Sequence, residues 1–266
     1  MKFKTSFFLL LILSSPTIWS QTVNNNRVIK VLSFNILHGA TTKGDFNLDV
    51  IAKVINDVNP DFVAMQEVDF KTNRAKKFDL ATELGWRTKM APLFGKAMNY
   101  DDGEYGEGIL SKHSLLQSRN VMLPYSSGNE PRAALEITTI LPSKDTITII
   151  GTHLDHLKDN TDRIQQAKKI NDVFSLNKYP TILVGDLNDT PGSTTINILE
   201  KMWSSSYNKK NTKPTFPSND PSFKIDYVMF YPKNRWKVIK TEVIQDSIAS
   251  DHCAYLVTIE LLKKPQ

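Results

Sequence analysis

The chain has 266 residues, of which 40% are hydrophobic and 23% are charged. This composition excludes a disordered protein, and the length fits one large domain better than two small ones. The formal net charge is +5, and it falls to +3 if an N-terminal segment containing Lys2 and Lys4 is removed. A charge this small on so long a chain gives weak support to nucleic-acid binding. We interpret the basic run Lys209, Lys210 and Lys213 as a solvated loop.

The first twenty residues have the order of a secretory signal peptide. Lys2 and Lys4 precede an apolar run over residues 7–13, and the small residue Ser20 precedes Gln21. The apolar run is too short to cross the ~30 Å hydrocarbon core of a bilayer, so we predict export and not a membrane anchor. We expect cleavage near Ser20, a polar leader over residues 21–27, and a secreted or periplasmic domain over residues 28–266.

The sequence contains one cysteine, Cys253, and this excludes an internal disulfide bond. The stability of the protein must therefore come from its core. Cys253 opens an apolar, strand-like run, so we interpret it as a buried structural thiol and not as a nucleophile.

Apolar residues alternate along the chain between strand-like and helix-like spacing. Residues 28–34 predict a strand, and the apolar spacing over residues 47–58 predicts an amphipathic helix that ends at Asn59-Pro60. A second helix is predicted over residues 164–174. Several strands follow one another without a helix, so the predicted fold class is α/β (α+β), with mixed sheets and helices outside. The further strands are predicted near residues 62–65, 107–111, 114–123, 131–140, 147–150, 181–184, 225–230, 236–244 and 254–262.

Polar side chains occur where these apolar strands end or begin. Any one of them is more often a turn former than a chemical group, but together they offer a set suited to chemistry at a sheet edge, where ligands bind in α/β folds. Their oxygens suit Mg²⁺, Mn²⁺ or Ca²⁺, and adjacent Asp and His can transfer protons or contact a phosphate. The residues are Asn35, Glu67, His153, Asp155, Asp186, Asn188, Asp226, Asp251 and His252.

In this order and spacing, these segments resemble the endonuclease/exonuclease/phosphatase superfamily, a DNase I-like group that includes abasic-site nucleases, inositol polyphosphate phosphatases and neutral sphingomyelinases. The resemblance extends from residue 28 to residue 262. It implies a four-layer sandwich of two facing mixed β-sheets flanked by helices, and a metal-dependent hydrolase of phosphoesters. The matching segments are LSFN at 32–35, DFVAMQEV at 61–68, YGEGILSK at 105–112, GTHLD at 151–155, VGDLNDTP at 184–191, KIDYV at 224–228 and SDH at 250–252.

The resemblance implies a metal site with carboxylate and amide ligands. Glu67 looks like the main ligand, and Asn35 and Asp251 are expected close to the ion. The expected cofactor is Mg²⁺, with Mn²⁺ or Ca²⁺ as alternatives.

The resemblance also implies a catalytic group. Asp186 is similar to the residue that orients or deprotonates the attacking water, and Asn188 resembles its partner. His252 looks like the imidazole at the scissile phosphate, and Asp226 like the carboxylate that orients it. His153 takes the place of a side chain that contacts the phosphate.

Two positions depart from the nuclease pattern. Many nuclease relatives carry Asp where Leu37 stands, and His38 follows it, which argues against a second metal site there. His153 stands where abasic-site nucleases usually have Tyr, and the histidine is more similar to the sphingomyelinase and phosphatase branches. Both departures favour a small phosphoester over DNA.

Substrate choice in this superfamily depends on loops around the cleft, which are predicted at residues 38–46, 95–106, 124–131 and 203–223. We name Arg132, Tyr105 and His38 as candidate substrate contacts. Arg132 could pair with a phosphate or act as a structural ion-pair partner. The segment 98–107 could be a simple hairpin loop or a wall of the pocket.

Three functions stay open from the sequence. The first is a secreted phosphodiesterase or phosphatase that uses in-line attack by water on a lipid head group, a sugar phosphate or another small phosphoester. The second is a secreted nuclease that acts on DNA or RNA. The third, a catalytically silent binding protein, is disfavoured because every matched position carries a competent side chain. We expect a monomer, with no stable membrane insertion after signal removal.

Overall fold

Two six-stranded mixed sheets lie face to face in the computed structural model, which describes residues 27–264. The first sheet has the order β11-β12-β1-β2-β4-β3, and the second has the order β5-β6-β7-β8-β10-β9. The strands of the first sheet are β1 Val28–Asn35, β2 Phe62–Phe70, β3 Ala91–Tyr100, β4 Gly103–Ser111, β11 Trp236–Ile244 and β12 Ala254–Leu261. Those of the second are β5 Leu115–Leu123, β6 Arg132–Ile140, β7 Thr146–His153, β8 Thr181–Asp186, β9 Ser204–Ser205 and β10 Asp226–Tyr231.

Within these described residues, four helices cover the outer faces of the sheets: α1 Leu48–Val58, α2 Leu80–Thr88, α3 Thr161–Phe174 and α4 Thr194–Glu200. Successive side chains along each strand point alternately to the inner and the outer layer, because side-chain direction in a strand has a period of two. Val31 packs between the sheets, whereas its neighbour Leu32 packs under α1 and α2. Helices α3 and α4 pack on the outer face of the second sheet, against Leu183. The predicted four-layer sandwich is therefore confirmed.

The first helix shows why its sequence pattern was readable. Asn47 caps the N-terminus of α1 through its side chain, which accepts a hydrogen bond from the Asp49 backbone N–H at 3.1 Å. Ile51 and Ile55 lie one turn apart and are fully buried. The helix ends at Asn59, which adopts a left-handed conformation directly before Pro60. The described part of the chain has no helix long and apolar enough to span a bilayer.

Helices α2 and α4 and strands β3 and β9 are elements that the sequence pattern did not predict. Helix α2 contains Gly85 and alternates charged with apolar residues, so its pattern is weak, and it is held by packing against α1. Helix α4 has only seven residues, and β9 has only two. The expected loop at 95–106 is wrong, because these residues form most of a β-hairpin, β3–β4, that turns at Asp101 and Asp102.

The strand expected at residues 62–65 is longer than predicted. β2 continues to Phe70 across an irregularity between Met65 and Val68, where the pairing with β4 shifts register. Glu67 lies in this irregularity with φ of 57°, a left-handed conformation that is uncommon for a residue with a side chain. The bulge turns Glu67 out of the regular alternation and towards the edge of the sheet.

Strand register brings the polar residues of the second sheet together. Asp186 ends β8 and is paired with His153 on β7 and with Asp226 on β10. In the first sheet, Asn35 ends β1 and is paired with Gln66 on the parallel strand β2. Because β1 and β2 face β8 and β7 across the core, the polar ends of both sheets meet at one edge of the sandwich.

Candidate active site

A cavity of about 320 Å³ opens at this edge, between the ends of the two sheets. A larger groove between α1 and α2, of about 1000 Å³, contains none of the polar strand-end residues. The edge cavity is the place where carboxylate, imidazole, guanidinium and aromatic groups converge. Its lining residues are His38, Glu67, Arg74, Met98, Tyr100, Tyr105, Glu130, Arg132, His153, His156, Asp186, Asn188, Phe216, Asp251 and His252.

Two carboxylates and one imidazole form a chain at the base of the cavity, where Asp186 and His252 line it and Asp226 lies directly behind His252. Nδ1 of His252 lies 3.2 Å from Oδ2 of Asp226, and its Nε2 lies 3.6 Å from Oδ2 of Asp186. All three residues are buried, and one ligand atom from each lies within 4.8 Å of the others, which is close enough to share a cation. Phe216 packs on the His252 ring with its centroid 4.8 Å away and limits the positions the imidazole can adopt.

The pKa values of this group are displaced by burial and by the two carboxylate charges. Burial raises the pKa of Asp186, and the charge of Asp226 raises it further, although His252 opposes both effects. Burial alone would lower the pKa of His252, but the charges of Asp226 and Asp186 raise it above the ordinary range. The arrangement therefore pairs a carboxylate that holds its proton more tightly than usual with an imidazole that favours the cationic form.

Glu67 lies on the opposite side of the cavity, between Asn35 and His38. Nδ2 of Asn35 donates to Oε1 of Glu67 at 3.1 Å and lies 3.4 Å from Oδ2 of Asp186, while Oδ1 of Asn35 accepts the backbone N–H of Leu37. Nδ1 of His38 lies 3.4 Å from Oε2 of Glu67. Asn35 thus turns its amide nitrogen towards both carboxylates and orients them.

The carboxylates of Glu67 and Asp251 lie on the same side of the cavity and repel each other. Burial raises the pKa of Asp251, and the charge of Glu67 also raises it. Burial would raise the pKa of Glu67 as well, but hydrogen bonds from His38 and Asn35 oppose burial and hold it below the ordinary value. Glu67 is therefore ionised at neutral pH, and a second carboxylate lies beside it. Two hard oxygen donors with mutual repulsion fit a divalent cation.

His153 lies between Asn188 and the buried Arg132. Its Nε2 is 2.9 Å from Nδ2 of Asn188 and 3.5 Å from Oδ2 of Asp186, and its Nδ1 is 3.2 Å from Nη1 of Arg132. Asn188 also donates from its backbone to Asp186 at 2.9 Å. Burial and the positive charge of Arg132 hold the pKa of His153 well below its ordinary value, so this imidazole is neutral.

The hairpin β3–β4 forms one wall of the cavity through Met98, Tyr100 and Tyr105, and Arg74, from the segment after β2, lies against this wall. Arg74 makes a two-pronged ion pair with the buried Asp69 at 2.7 and 2.9 Å, and its guanidinium lies 4.5 Å from the centroid of the Tyr100 ring. Tyr105 closes the wall beside Arg132. The alternative that residues 98–107 form a simple hairpin loop is half right, since they are a hairpin that also walls the cavity.

Glu107 lies in the matching segment 105–112 but was not named from the sequence as a candidate site residue. It is fully buried, and burial raises its pKa well above the ordinary value although the charge of Arg132 opposes this. A charged residue within an apolar strand was the signal that could have identified it. His156 was also missed, and its signal was the spacing of three residues from His153 in a chain with five histidines.

The structure brings nearly all of the predicted site residues to one place. The cavity is lined by those named for the metal, for catalysis and for the substrate, except that Asn35 and Asp226 lie directly behind it. Arg132 is an ion-pair partner of Glu130 at 2.9 Å and also lines the cavity, so the ion pair is confirmed and its contact with a phosphate stays a prediction. Asp155 lies elsewhere, because its carboxylate accepts the backbone N–H of Leu157 and faces Arg163.

A two-sheet sandwich with an Asp–His pair, facing carboxylates and buried donors at one edge has the architecture of the phosphoester hydrolases. The family model described as the endonuclease/exonuclease/phosphatase family matches residues 32–252. The chain therefore belongs to the endonuclease/exonuclease/phosphatase family, whose members hydrolyse phosphoesters.

Several solved structures have the same fold. An endonuclease/exonuclease/phosphatase from Beutenbergia cavernae is 22% identical with a TM-score of 0.76, and the match covers 90% of this chain and 73% of that one. A mannosyl-6-phosphatase from Bacteroides thetaiotaomicron is 17% identical with a TM-score of 0.71 and coverage of 87% and 99%. The human Nocturnin catalytic domain, with bound sulfate, is 19% identical with a TM-score of 0.70 and coverage of 88% and 95%. At these identities the likeness concerns the fold.

Proposed function

We propose that this protein is an exported, divalent-metal-dependent hydrolase of small phosphoesters, such as a sugar phosphate or a lipid head group. The observation that carries this proposal is the size and lining of the cavity. A volume of about 320 Å³ lies at the lower end of the range for small-molecule sites. Carboxylates on one side and imidazole donors on the other suit a phosphoryl group held between a cation and hydrogen-bond donors.

Glu67 and Asp251 would hold the cation, with Asn35 orienting Glu67 through its amide nitrogen. Their oxygen donors suit Mg²⁺, with Mn²⁺ or Ca²⁺ as alternatives. When bound, a divalent ion would offset negative charge on the phosphoryl oxygens. The group Asp186, Asp226 and His252 is assigned to proton transfer instead, because Nδ1 of His252 faces both oxygens of Asp226 at 3.2 and 3.3 Å.

The geometry of Asp186 and His252 supports a role for both in proton transfer. Asp186 is held by the Asn188 backbone N–H and the Asn35 amide, and its raised pKa makes it a better base for water than an ordinary carboxylate. His252, kept cationic by Asp226, would donate from Nε2 to a phosphoryl or leaving-group oxygen. Attack by water on phosphorus breaks the P–O bond, and the leaving oxygen takes a proton.

The enclosed shape of the cavity favours a small ester over a nucleic acid. The β3–β4 hairpin and Phe216 bound the cavity on two sides. A backbone-tracking groove needs a row of Lys and Arg with exposed stacking rings, whereas Arg74 and Arg132 are already paired with Asp69 and Glu130. The nuclease stays the second candidate from the sequence, and no feature of the cavity favours it over a small phosphoester.

A substrate panel tests this proposal. Purified protein would be assayed with Mg²⁺, Mn²⁺ or Ca²⁺ against bis-p-nitrophenyl phosphate, p-nitrophenyl phosphate, sugar phosphates, inositol phosphates, sphingomyelin and plasmid DNA. We expect turnover of at least one small phosphoester, loss of turnover with EDTA, and loss in Asp186→Asn. Turnover of plasmid DNA alone, or turnover that survives complete chelation, would contradict the proposal.

Export is proposed from the sequence pattern, and residues 1–26 lie outside the described part of the chain. Expression of the full chain in a bacterial host with a secretion system tests it. We expect a mature protein that begins at or near Gln21, as read by intact-mass spectrometry of the secreted fraction. A retained, full-length cytoplasmic product would contradict export without affecting the enzymatic proposal.

A further inference from the structure

One buried arginine contacts two histidines of the cavity at the same ring position. Nη1 of Arg132 lies 3.2 Å from Nδ1 of His153, and Nη2 of Arg132 lies 3.2 Å from Nδ1 of His156. The Arg132 side chain is 1% exposed, and its Nη2 also lies 2.9 Å from Oε2 of Glu130. The guanidinium is therefore fixed in one place by partners on several sides.

The chemistry of arginine decides which nitrogen of each histidine carries the proton. A guanidinium has five N–H donors, no acceptor, and stays protonated in proteins. A nitrogen at hydrogen-bond distance from a guanidinium is favoured as an acceptor. Nδ1 of His153 and Nδ1 of His156 must therefore both be unprotonated. A neutral imidazole with an unprotonated Nδ1 carries its proton on Nε2.

Asn188 supplies the competing contact at His153, because its Nδ2 is 2.9 Å from Nε2 of the ring. If that amide donated to Nε2, the proton of His153 would sit on Nδ1 and point at a charged donor. Nδ2 of Asn188 has a second acceptor, the carbonyl oxygen of Leu154 at 3.0 Å. That acceptor can take the amide N–H in place of Nε2, whereas Arg132 is a charged donor, and charge-assisted hydrogen bonds are roughly twice as strong as neutral ones. Arg132 therefore decides the tautomer of His153.

We propose that Arg132 is a positioning residue that holds His153 and His156 as Nε2–H tautomers, so that both present a neutral N–H donor to the phosphoryl oxygens of the substrate. This inference rests on the proposed function for the identity of the ligand, but not for the tautomers themselves. Nε2 of His153 lies 3.5 Å from Oδ2 of Asp186, so its donor is next to the group assigned to water activation.

Neutral donors have a clear use beside Asp186. Cationic His252 already lies 3.6 Å from Oδ2 of Asp186 and lowers the pKa of that carboxyl, so a second cationic imidazole would weaken Asp186 further as a base. A neutral N–H still stabilises negative charge that develops on a phosphoryl oxygen. The two sides of the cavity thus hold different histidine states, with cationic His252 beside Asp226 and neutral His153 beside Arg132.

Nitrogen NMR tests the tautomers directly. A two-bond ¹H–¹⁵N spectrum of protein labelled at its five histidines distinguishes an Nε2–H ring, an Nδ1–H ring and an imidazolium. His153→Gln and His156→Gln would assign the two signals. We expect Nε2–H rings at both positions in the wild type near neutral pH. An Nδ1–H ring or an imidazolium at His153 in the folded wild type would overturn the proposal.

Substitution of Arg132 then tests the cause. Arg132→Met should allow both histidines to populate the Nδ1–H tautomer. Arg132→Lys keeps the positive charge but not the two-pronged donor geometry of the guanidinium, so the Nδ1–H tautomer should appear in at least one of the two histidines. Arg119→Met is the matched control, since Arg119 pairs with Glu136 in the same sheet away from the cavity. Unchanged tautomers in folded Arg132→Lys and Arg132→Met would show that another group sets them.

Kinetics with bis-p-nitrophenyl phosphate or p-nitrophenyl phosphate separates positioning from general structural damage. Arg132→Met should lower kcat/KM by about 10²-fold in the wild-type background, a loss typical of misplaced groups. In a background carrying His153→Ala and His156→Ala, the same substitution should cause no further loss. A second loss of that size there would mean that Arg132 acts other than through the two histidines. Absence of phosphoesterase activity in the wild type would defeat the proposed function alone, because the spectra still report the tautomers.

Discussion

The carboxylate of Asp226 faces Nδ1 of His252 through both of its oxygens, at 3.3 and 3.2 Å, although the two residues are 26 positions apart. Asp226 begins β10, and His252 lies in the turn just before β12, so the pair joins the edges of the two sheets. Both side chains are buried. Burial removes the screening that water would provide and makes the negative charge effective at holding the imidazole in its cationic form.

Asp226→Asn should lower kcat on a small phosphoester by about 10²–10⁴-fold, the usual contribution of a positioned acid or base. The amide preserves the shape of the side chain but removes the charge that sustains the cationic imidazole. Steady-state kinetics on the active substrate of the panel provide the measurement. Asp61→Asn is the matched control, because Asp61 pairs with His113 at 3.2 Å away from the cavity. Equal losses in both variants would contradict a specific role for Asp226.

Glu67→Gln should abolish binding of Mn²⁺, measured by isothermal titration calorimetry, and with it the activity. An amide cannot replace a charged oxygen ligand, and this substitution would leave Asp251 as the remaining carboxylate of the proposed site. Glu104→Gln is the control, because it removes a carboxylate that pairs with Lys96 within the β3–β4 hairpin. This variant should bind Mn²⁺ normally. Asp226→Asn should also bind it. Loss of Mn²⁺ in Asp226→Asn with retention in Glu67→Gln would move the cation to the Asp186, Asp226 and His252 group.

Lys224 should make the protein more stable as pH rises above neutral. Burial lowers the pKa of its ammonium from 10.5 to about 7, although the charge of Asp226 opposes this. Between these two values the unfolded chain holds the proton and the folded chain does not, so the free energy of unfolding rises with pH and is lost again as pH falls towards 7.

Urea denaturation at pH 7 and pH 9 measures this effect. The difference in unfolding free energy between the wild type and Lys224→Met should change by about 2 kcal/mol over that interval, in favour of the wild type at pH 9. Substitution of the exposed Lys213 by Met is the control and should leave the pH dependence unchanged. Parallel pH profiles for wild type and Lys224→Met would contradict the lowered pKa.

Gly185→Ala should destabilise the fold by about 3 kcal/mol or more, because the added methyl group cannot be accommodated without moving backbone. A Cβ at this position would lie 1.8 Å from the carbonyl oxygen of Thr152 on the neighbouring strand. Gly128→Ala, in a loop with nothing within 4 Å of its Cβ, should cost about 1 kcal/mol for its positive φ. Thermal and urea unfolding of the two variants test this, and a Gly185→Ala protein as stable as Gly128→Ala would contradict it.

Most of the elements, and the polar residues at the strand ends, were readable from local pattern. The helix at 47–58 and the strands that end at Asn35 and Asp186 were predicted because apolar period and capping are encoded within a few residues. Helix α2 and strand β3 were missed because tertiary packing, and not local preference, holds them. The hairpin that walls the cavity was therefore expected to be a loop.

Which side chains could do chemistry follows from the sequence, because residue type and position at a strand end are local properties. What each of them does depends on the folded arrangement. Strand register placed Asp186 between His153 and Asp226, and a bulge gave Glu67 its left-handed backbone. Burial then set the protonation of each group. The pairing of distant strands places Arg132 between two histidines. Because charge and proton position depend on neighbours in space, the sequence alone did not determine the role of Arg132.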